Sequence, residues 1–323
     1  MNPRMKKFLA ITLALVLIAL VTTSGGNIMA AKKFRLAFVA RAQGDSFAAW
    51  LTNSIKLEVA KYPDMEVSVF DGQSKNEVVN AAIENAVTNK FDGILLQPFD
   101  SEAQVAPMKA AMAAGLKCAT VNMFVNDGGV ISRVDADPYG QGAVPAKVAL
   151  KQVPKNSRVV VLLGPAGNRH TLERRRAWQK EFFDKRPDVK IIDEQIANWN
   201  KDEAMTKMED WISATGGKID AIVSMNDNMA VGALEAAKAA GIKKILAYGV
   251  DGTAEACLYI KEGKLTVTCL QSAYELARLS VGLMHDLFTG KKKRADIMIP
   301  NILIDKSNVD QYIEMHKKAG NMQ

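Results

Sequence analysis

Three cysteines and three histidines are all that the 323 residues contain, and this scarcity removes several chemistries at once. Cys118, Cys257 and Cys269 are odd in number and sit mostly in apolar contexts, so they form neither a disulfide framework nor a metal site. Export would permit one bridge, with Cys257 and Cys269 the only close pair in sequence. His285 and His316 fall in helical patterns and read as surface or packing residues, whereas His170 follows a strand-end loop and could touch a ligand. No metal cluster is implied. Gly164-Pro165-Ala166-Gly167 lacks the later glycine of a dinucleotide fingerprint and the Lys-Ser/Thr of a P-loop, and no Gly-x-Ser-x-Gly elbow occurs. Nothing pairs a nucleophile with a base. The chain therefore reads as a non-enzyme with no catalytic residues and no cofactor.

Long apolar runs are scarce too. The stretch Phe8 to Val21 is too short for a confident spanning helix, and it follows Arg4, Lys6 and Lys7 and precedes a small, polar segment ending at Ala30. Residues 1–30 are read as a secretory signal peptide cleaved near Ala30, with no cysteine there for a lipid anchor. The mature protein is therefore expected to be exported. The formal charge of +7 includes those three leader charges, leaving only +4 on the rest. The clusters Arg174-Arg175-Arg176 and Lys291-Lys292-Lys293-Arg294 are isolated and lack interleaved aromatics, so they read as solvated faces and no nucleic-acid partner is expected. With 48% hydrophobic and 24% charged residues the chain can bury two ordinary domain cores.

From Lys33 onward, short β-branched runs alternate with helical spacing, which predicts an α/β fold with parallel sheets covered by helices on both faces. The rhythm breaks between Asn126 and Gly140, where a domain crossing is expected. A second series follows, including a helix over His170 to Arg186 and strands ending near Ser224, Tyr248 and Leu270. The remaining helix Ala273 to Thr289 and the segment Ala295 to Ile304 are too short for a third domain, so they are expected to return to the earlier sheets. The result is two doubly wound, Rossmann-like lobes: residues 32–136 with 272–300, and 137–271 with 301–323. The hinge is expected near Asp135 to Asp137, Gln271 to Ser272 and Pro300 to Asn301.

Polar side chains recur where strands end: Asn122 after Val121, Asn226 and Asp227 after Ile219 to Val223, Asp251 after Val250, and Gln271 after Leu270. Alone, Asn226 or Asp227 would be only a helix cap. Repeated at the carboxyl edge of a parallel sheet, such groups form a site. Asp, Asn, Gln and Arg grip vicinal hydroxyls, and aromatic planes cover the C–H faces of a sugar ring. Phe47 and Trp199, the latter between Asn198 and Asn200, are the candidate planes, with core packing the alternative for each.

With these residues assembled, the chain resembles the bacterial periplasmic sugar-binding proteins of the ribose and galactose/glucose type, receptors of ABC transporters. The resemblance covers nearly all of the chain after the leader. It rests on Asn226-Asp227-x-Met229-Ala230-x-Gly232-Ala233, Gly249-Val250-Asp251-Gly252-Thr253, the pair Asp45-x-Phe47, and Trp199 followed by Met208-Glu209-Asp210-Trp211. It implies the type I periplasmic binding protein fold, with three crossovers forming a hinge that closes on the ligand. It further implies Asp45, Asn122, Asn226, Asp251 and Gln271 as hydroxyl ligands, Arg174 as a donor to ring and hydroxyl oxygens, and Phe47 and Trp199 as stacking faces. Asp137 corresponds to an acidic residue near the hinge, Asn168 and His170 occupy a ligand-reading loop, and Arg41 is a further candidate. Gln271 is shared with ribose members, Asp45 and Asn122 lean toward galactose, and Val153 to Ser157 leaves no room for a calcium loop. A hexopyranose fits best, with a pentose or a cyclitol such as myo-inositol next. The implied partners are a permease and a chemoreceptor, and the protein is expected to be a monomer. A sugar-responsive repressor would need a helix-turn-helix before residue 33, where the apolar leader stands instead.

Overall fold

A computed structural model describes residues 33–322, so the expected leader and its cleavage point lie outside the described residues. The chain opens with β1 (Phe34–Ala40), α1 (Ser46–Val59), β2 (Met65–Asp71), α2 (Asn76–Thr88), β3 (Gly93–Leu96), α3 (Val105–Ala113), β4 (Lys117–Val121) and β5 (Ser132–Ala136). It then crosses into α4 (Pro138–Gln152), β6 (Arg158–Leu163), α5 (Arg169–Glu181), β7 (Lys190–Ile196), α6 (Lys201–Thr215), β8 (Ala221–Ser224), α7 (Asp227–Ala239), β9 (Leu246–Asp251), α8 (Ala254–Lys261) and β10 (Val267–Leu270). It crosses back for α9 (Ala273–Phe288) and β11 (Asp296–Ile299), and returns for β12 (Ile302–Ile304) and α10 (Val309–Lys318).

The strands form two six-stranded sheets, β11-β5-β4-β3-β1-β2 and β12-β10-β9-β8-β6-β7. Every pairing is parallel except β10 with β12. The apolar runs explain this arrangement. Strands β3, β8 and β10 are buried at every residue, as strands covered on both faces must be. Each fully buried Leu, Ile or Phe contributes about 1.5–3 kcal/mol through removal from water, and Leu36, Phe38, Ile94, Leu95 and Leu96 are such residues in the first sheet alone.

Three short connections join the lobes: Asp137 between β5 and α4, Gln271 and Ser272 between β10 and α9, and Pro300 and Asn301 between β11 and β12. Asn301 Nδ2 donates to the Asp137 carbonyl at 2.9 Å, tying two of them together. The order of strands reverses beside β1 in one sheet and beside β6 in the other, so the carboxyl edges there open into crevices that face each other.

One expected helix is shorter than its pattern. The segment predicted as helical from His170 to Arg186 leaves the α conformation at Phe182 (φ −129°, ψ −65°) and ends in a 3-10 turn, Phe183–Lys185. Phe182 and Phe183 are both buried; Phe182 stands edgewise to Trp178 and to Phe183, and Phe183 lies tilted against Trp178. Adjacent positions on a continuing helix point about 100° apart, so the break turns both rings inward. The three cysteines are free and buried, and burial pushes each thiol up to about 12.

Candidate functional site

Arg41, Phe47 and Asn122 from the first lobe meet His170, Arg174, Trp199, Asn226, Asp251 and Gln271 from the second around a cavity of only about 10 Å³. All nine are buried. A larger concavity of about 1020 Å³ lies on the second lobe around Leu234, Lys238, Ile242 and Tyr259. No buried polar groups converge there, so size alone does not mark the site.

Arg174 organises the polar wall. Its Nε and Nη2 donate to Gln141 Oε1 at 3.0 and 2.7 Å, and Nη1 donates to the Met225 carbonyl at 2.7 Å. Nη2 also reaches Gln271 Oε1 at 3.3 Å and stands 3.9 Å from Asp251 Oδ1. That last separation is too long for a hydrogen bond, so a hydroxyl placed between the two could accept from the guanidinium and donate to the carboxylate. Gln271 Nε2 donates to Asp251 Oδ1 at 3.3 Å. Burial raises the Asp251 carboxyl well above its usual range; Arg174 opposes this, and Asp227 and Asp45 add to it. Burial likewise lowers Arg174.

His170 presents Nδ1 to Arg174 Nη2 at 3.4 Å. Since a guanidinium only donates, Nδ1 accepts and the ring proton sits on Nε2, which lies 3.7 Å from Asp135 Oδ1. Burial, then Arg174, Arg41 and Arg169, hold His170 well below its usual range, so the imidazole is neutral. Asn122 and Asn226 are oriented by neighbours. Gln97 Nε2 donates to Asn122 Oδ1 at 3.0 Å, and Asn226 Oδ1 accepts the Met229 N–H at 2.9 Å. Each therefore keeps its amide NH2 to donate.

Phe47 packs edge-to-face on Trp50, with centroids 5.9 Å apart, while the Trp199 indole lies 5.6 Å from the Arg174 guanidinium. Gly164 makes room for the indole, because a Cβ there would come within 2.1 Å of it. Asn122 (φ 70°), Trp199 (φ 63°) and Asp251 (φ 127°) are non-glycine residues with left-handed backbones. Each such conformation costs on the order of 1–3 kcal/mol and persists where the surroundings over-determine it. Asp227 is part of those surroundings. Its carboxylate accepts from Gly252 N at 2.7 Å, Thr253 N at 2.9 Å and Thr268 Oγ1 at 2.6 Å, fixing the loop that carries Asp251.

Three candidates stand elsewhere. Asp137 is exposed and caps α4, accepting from Tyr139 N and Gly140 N, so its expected ligand contact is corrected to a capping role. Asn168 caps α5 through His170 N and sends Nδ2 across the cleft to the Phe99 carbonyl at 3.3 Å, so it joins the lobes instead of lining the pocket. Asp45 caps α1 through Ala48 N and pairs with Arg41 at 2.9 Å, lining an adjoining chamber. The reading of sequence also missed Gln97, Asp135 and Gln141, all fully buried beside the site. Gln97 and Asp135 carry the strand-end signal used for Asn122. Gln141 sits inside a helix and carries none.

Two α/β lobes closing polar strand edges and two aromatic planes over a small enclosure define the class of two-lobed solute-binding proteins. Residues 36–292 match the periplasmic binding protein domain, and the chain belongs to that family. It is 28% identical over 243 residues to a xylitol-binding protein of Mycolicibacterium smegmatis, covering 75% of this chain and 69% of that one. It is also 28% identical over 269 residues to the ribose import binding protein RbsB of Bacillus subtilis, covering 83% and 86%. An ABC transporter solute binding protein from Bacillus halodurans, solved with bound myo-inositol, superposes with a TM-score of 0.82 at 25% identity, covering 88% of this chain and 98% of that one.

Proposed function

We propose that this protein is a periplasmic receptor for a monosaccharide or cyclitol, which it encloses between its lobes and delivers to an ABC transporter permease. A chemoreceptor is a second docking partner in this reading, and the working unit is a monomer exported by its leader. The observation that carries it is the convergence of Arg174 and Asp251, 3.9 Å apart, with Phe47 and Trp199 in one small buried enclosure. Asn122 and Asn226 donate to ligand hydroxyls, Asp251 accepts, Arg174 and Arg41 donate, and Gln271 does both. Ligand touched by both lobes draws binding energy from each and shifts the population toward the closed form. Left without its partner hydroxyl, each buried polar group costs about 1–3 kcal/mol, which is the source of selectivity.

A hexopyranose is the favoured ligand, because two flat aromatic faces match the two C–H faces of a six-membered ring. The Bacillus halodurans protein with bound myo-inositol favours a second reading, a cyclitol of the same ring size. A thermal-shift screen against pentoses, hexoses, cyclitols and pentitols tests both, since a ligand specific to the native state raises apparent stability by mass action. A rise with a hexose or myo-inositol is expected; no rise with any polyol rejects the proposal.

A further inference from the structure

The backbone fixes the polarity of the first-lobe wall from behind. The Arg41 backbone N–H can only donate, and it does so to Gln97 Oε1 at 3.1 Å. Gln97 therefore turns its NH2 the other way, where Nε2 donates to Asn122 Oδ1 at 3.0 Å. That commits the Asn122 oxygen and leaves Asn122 Nδ2 buried with no partner among the described residues, on a side chain that lines the pocket. The other polar side chain on this wall is Arg41. Asp45 Oδ2 stands 2.9 Å from Arg41 Nη2 and holds the guanidinium in place, while its Nε and Nη1 have no partner among the described residues. Phe47, the third lining residue of this lobe, has no polar side-chain atom. The first lobe thus faces the ligand with donors alone.

The second wall differs, because Asp251 accepts there beside the donors Arg174 and Asn226. A hydroxyl both donates and accepts, so that wall can serve it on both counts. Against Arg41 and Asn122 a hydroxyl proton meets no side-chain acceptor, whereas a group that only accepts is served in full. The local charge agrees. The charges acting most on His170, which also lines the pocket, are the guanidiniums of Arg174, Arg41 and Arg169, and all three lower it. Asp135 lies 3.7 Å from His170 but does not offset them, since burial holds its carboxyl well above the usual range.

We propose that the ligand is an acidic monosaccharide, a hexuronate, whose carboxylate rests on Arg41 and Asn122 while its ring hydroxyls are read by Arg174, Asn226, Asp251 and Gln271. A guanidinium fork beside an amide NH2 matches the two oxygens of a carboxylate. A hexuronate also keeps the six-membered ring and the two C–H faces that Phe47 and Trp199 would cover. This inference rests on the carbohydrate reading of the pocket.

Isothermal titration calorimetry separates the two claims. The purified protein is titrated with D-glucose, D-galactose and myo-inositol, and with D-glucuronate and D-galacturonate. At least one hexuronate should bind about tenfold or more tightly than its parent hexose, because hydrogen bonds to a charged group are about twice as strong as neutral ones. Two variants locate the cause. Asn122→Asp keeps the oxygen that accepts from Gln97 Nε2 and turns the pocket-facing donor into an acceptor. Arg41→Gln keeps the backbone N–H on Gln97 and removes the cation. Each should lower the ratio of hexuronate to hexose affinity by about tenfold or more, with a native circular dichroism spectrum. A neutral ring that binds as tightly as both acids overturns the inference and leaves the monosaccharide reading intact. A hexuronate preference that survives in either folded variant also overturns it. Binding of none of the five probes, neutral or acidic, removes both.

Discussion

Gln141 Oε1 accepts two hydrogen bonds from one guanidinium, Nε of Arg174 at 3.0 Å and Nη2 at 2.7 Å. The same glutamine donates from Nε2 to Gln271 Oε1, so a residue outside the cavity wall orients two residues in it. Gln141→Met keeps the length and removes both functions. It leaves buried donors of Arg174 unpaired, at a cost of about 1–3 kcal/mol, and calorimetry should show ligand affinity falling by at least about tenfold. Arg174→Ala should abolish binding outright while the circular dichroism spectrum stays native.

Asp251 pairs function with backbone strain. At φ 127° only glycine is comfortable, so Asp251→Gly should unfold at a higher temperature than Asp251→Ala, by about 1 kcal/mol in stability. Neither should bind ligand. An Asp251→Gly variant less stable than Asp251→Ala would place the strain elsewhere.

Gly164 is the floor under Trp199. Adding a Cβ within 2.1 Å of the indole forces the ring to move, and overpacking of this kind costs about 1–3 kcal/mol. Gly164→Ala should weaken ligand binding more than it lowers the melting temperature, with a shift in tryptophan emission as the indole leaves its buried seat.

The lobes also meet outside the pocket. The Phe124 ring carries Arg169 of the second lobe at 4.3 Å and Arg133 of its own lobe at 4.4 Å. All three side chains are half-buried, and a pair of this kind contributes about 0.5–2 kcal/mol. Phe124→Leu should cost a few-fold in affinity, read by calorimetry, and small-angle scattering should show a larger radius of gyration at subsaturating ligand.

Burial pushes the Asp227 carboxyl up to about 7, against the hydrogen bonds from Thr268, Thr253 and Gly252. A carboxyl raised from its unfolded value of about 3.9 holds its proton more tightly when folded, so its contribution is full below pH ~4 and is lost as pH rises through about 7. His170 and His316 act in the opposite sense, since burial lowers both and their charging in the unfolded chain costs stability as pH falls below about 6.5. Comparison with Asp227→Asn cancels the histidines. The melting temperature of the wild type relative to that variant should fall between pH 5 and pH 8; a pH-independent difference would exclude Asp227 as the titrating group.

Much of the architecture was legible before any coordinates. Runs such as Gly93–Leu96 and Ala221–Ser224, each followed within two residues by a polar side chain and then by a helical repeat, dictate buried parallel strands whose carboxyl edges carry Asn, Asp and Gln. Composition alone made a metal centre or a nucleophile-base pair hard to build. Tertiary packing decided the rest. Asp45, Asp137, Asn168 and Asn226 all precede helices and all cap them, so sequence cannot say which also turns a free atom toward a ligand. Only the crossing of the chain at Asp137 leaves that carboxylate in solvent, and only the approach of the second lobe carries Asn168 to Phe99. Gln141 joined the site for the same reason: α4 packs against α5, and a contact between residues 33 positions apart has no trace in local pattern.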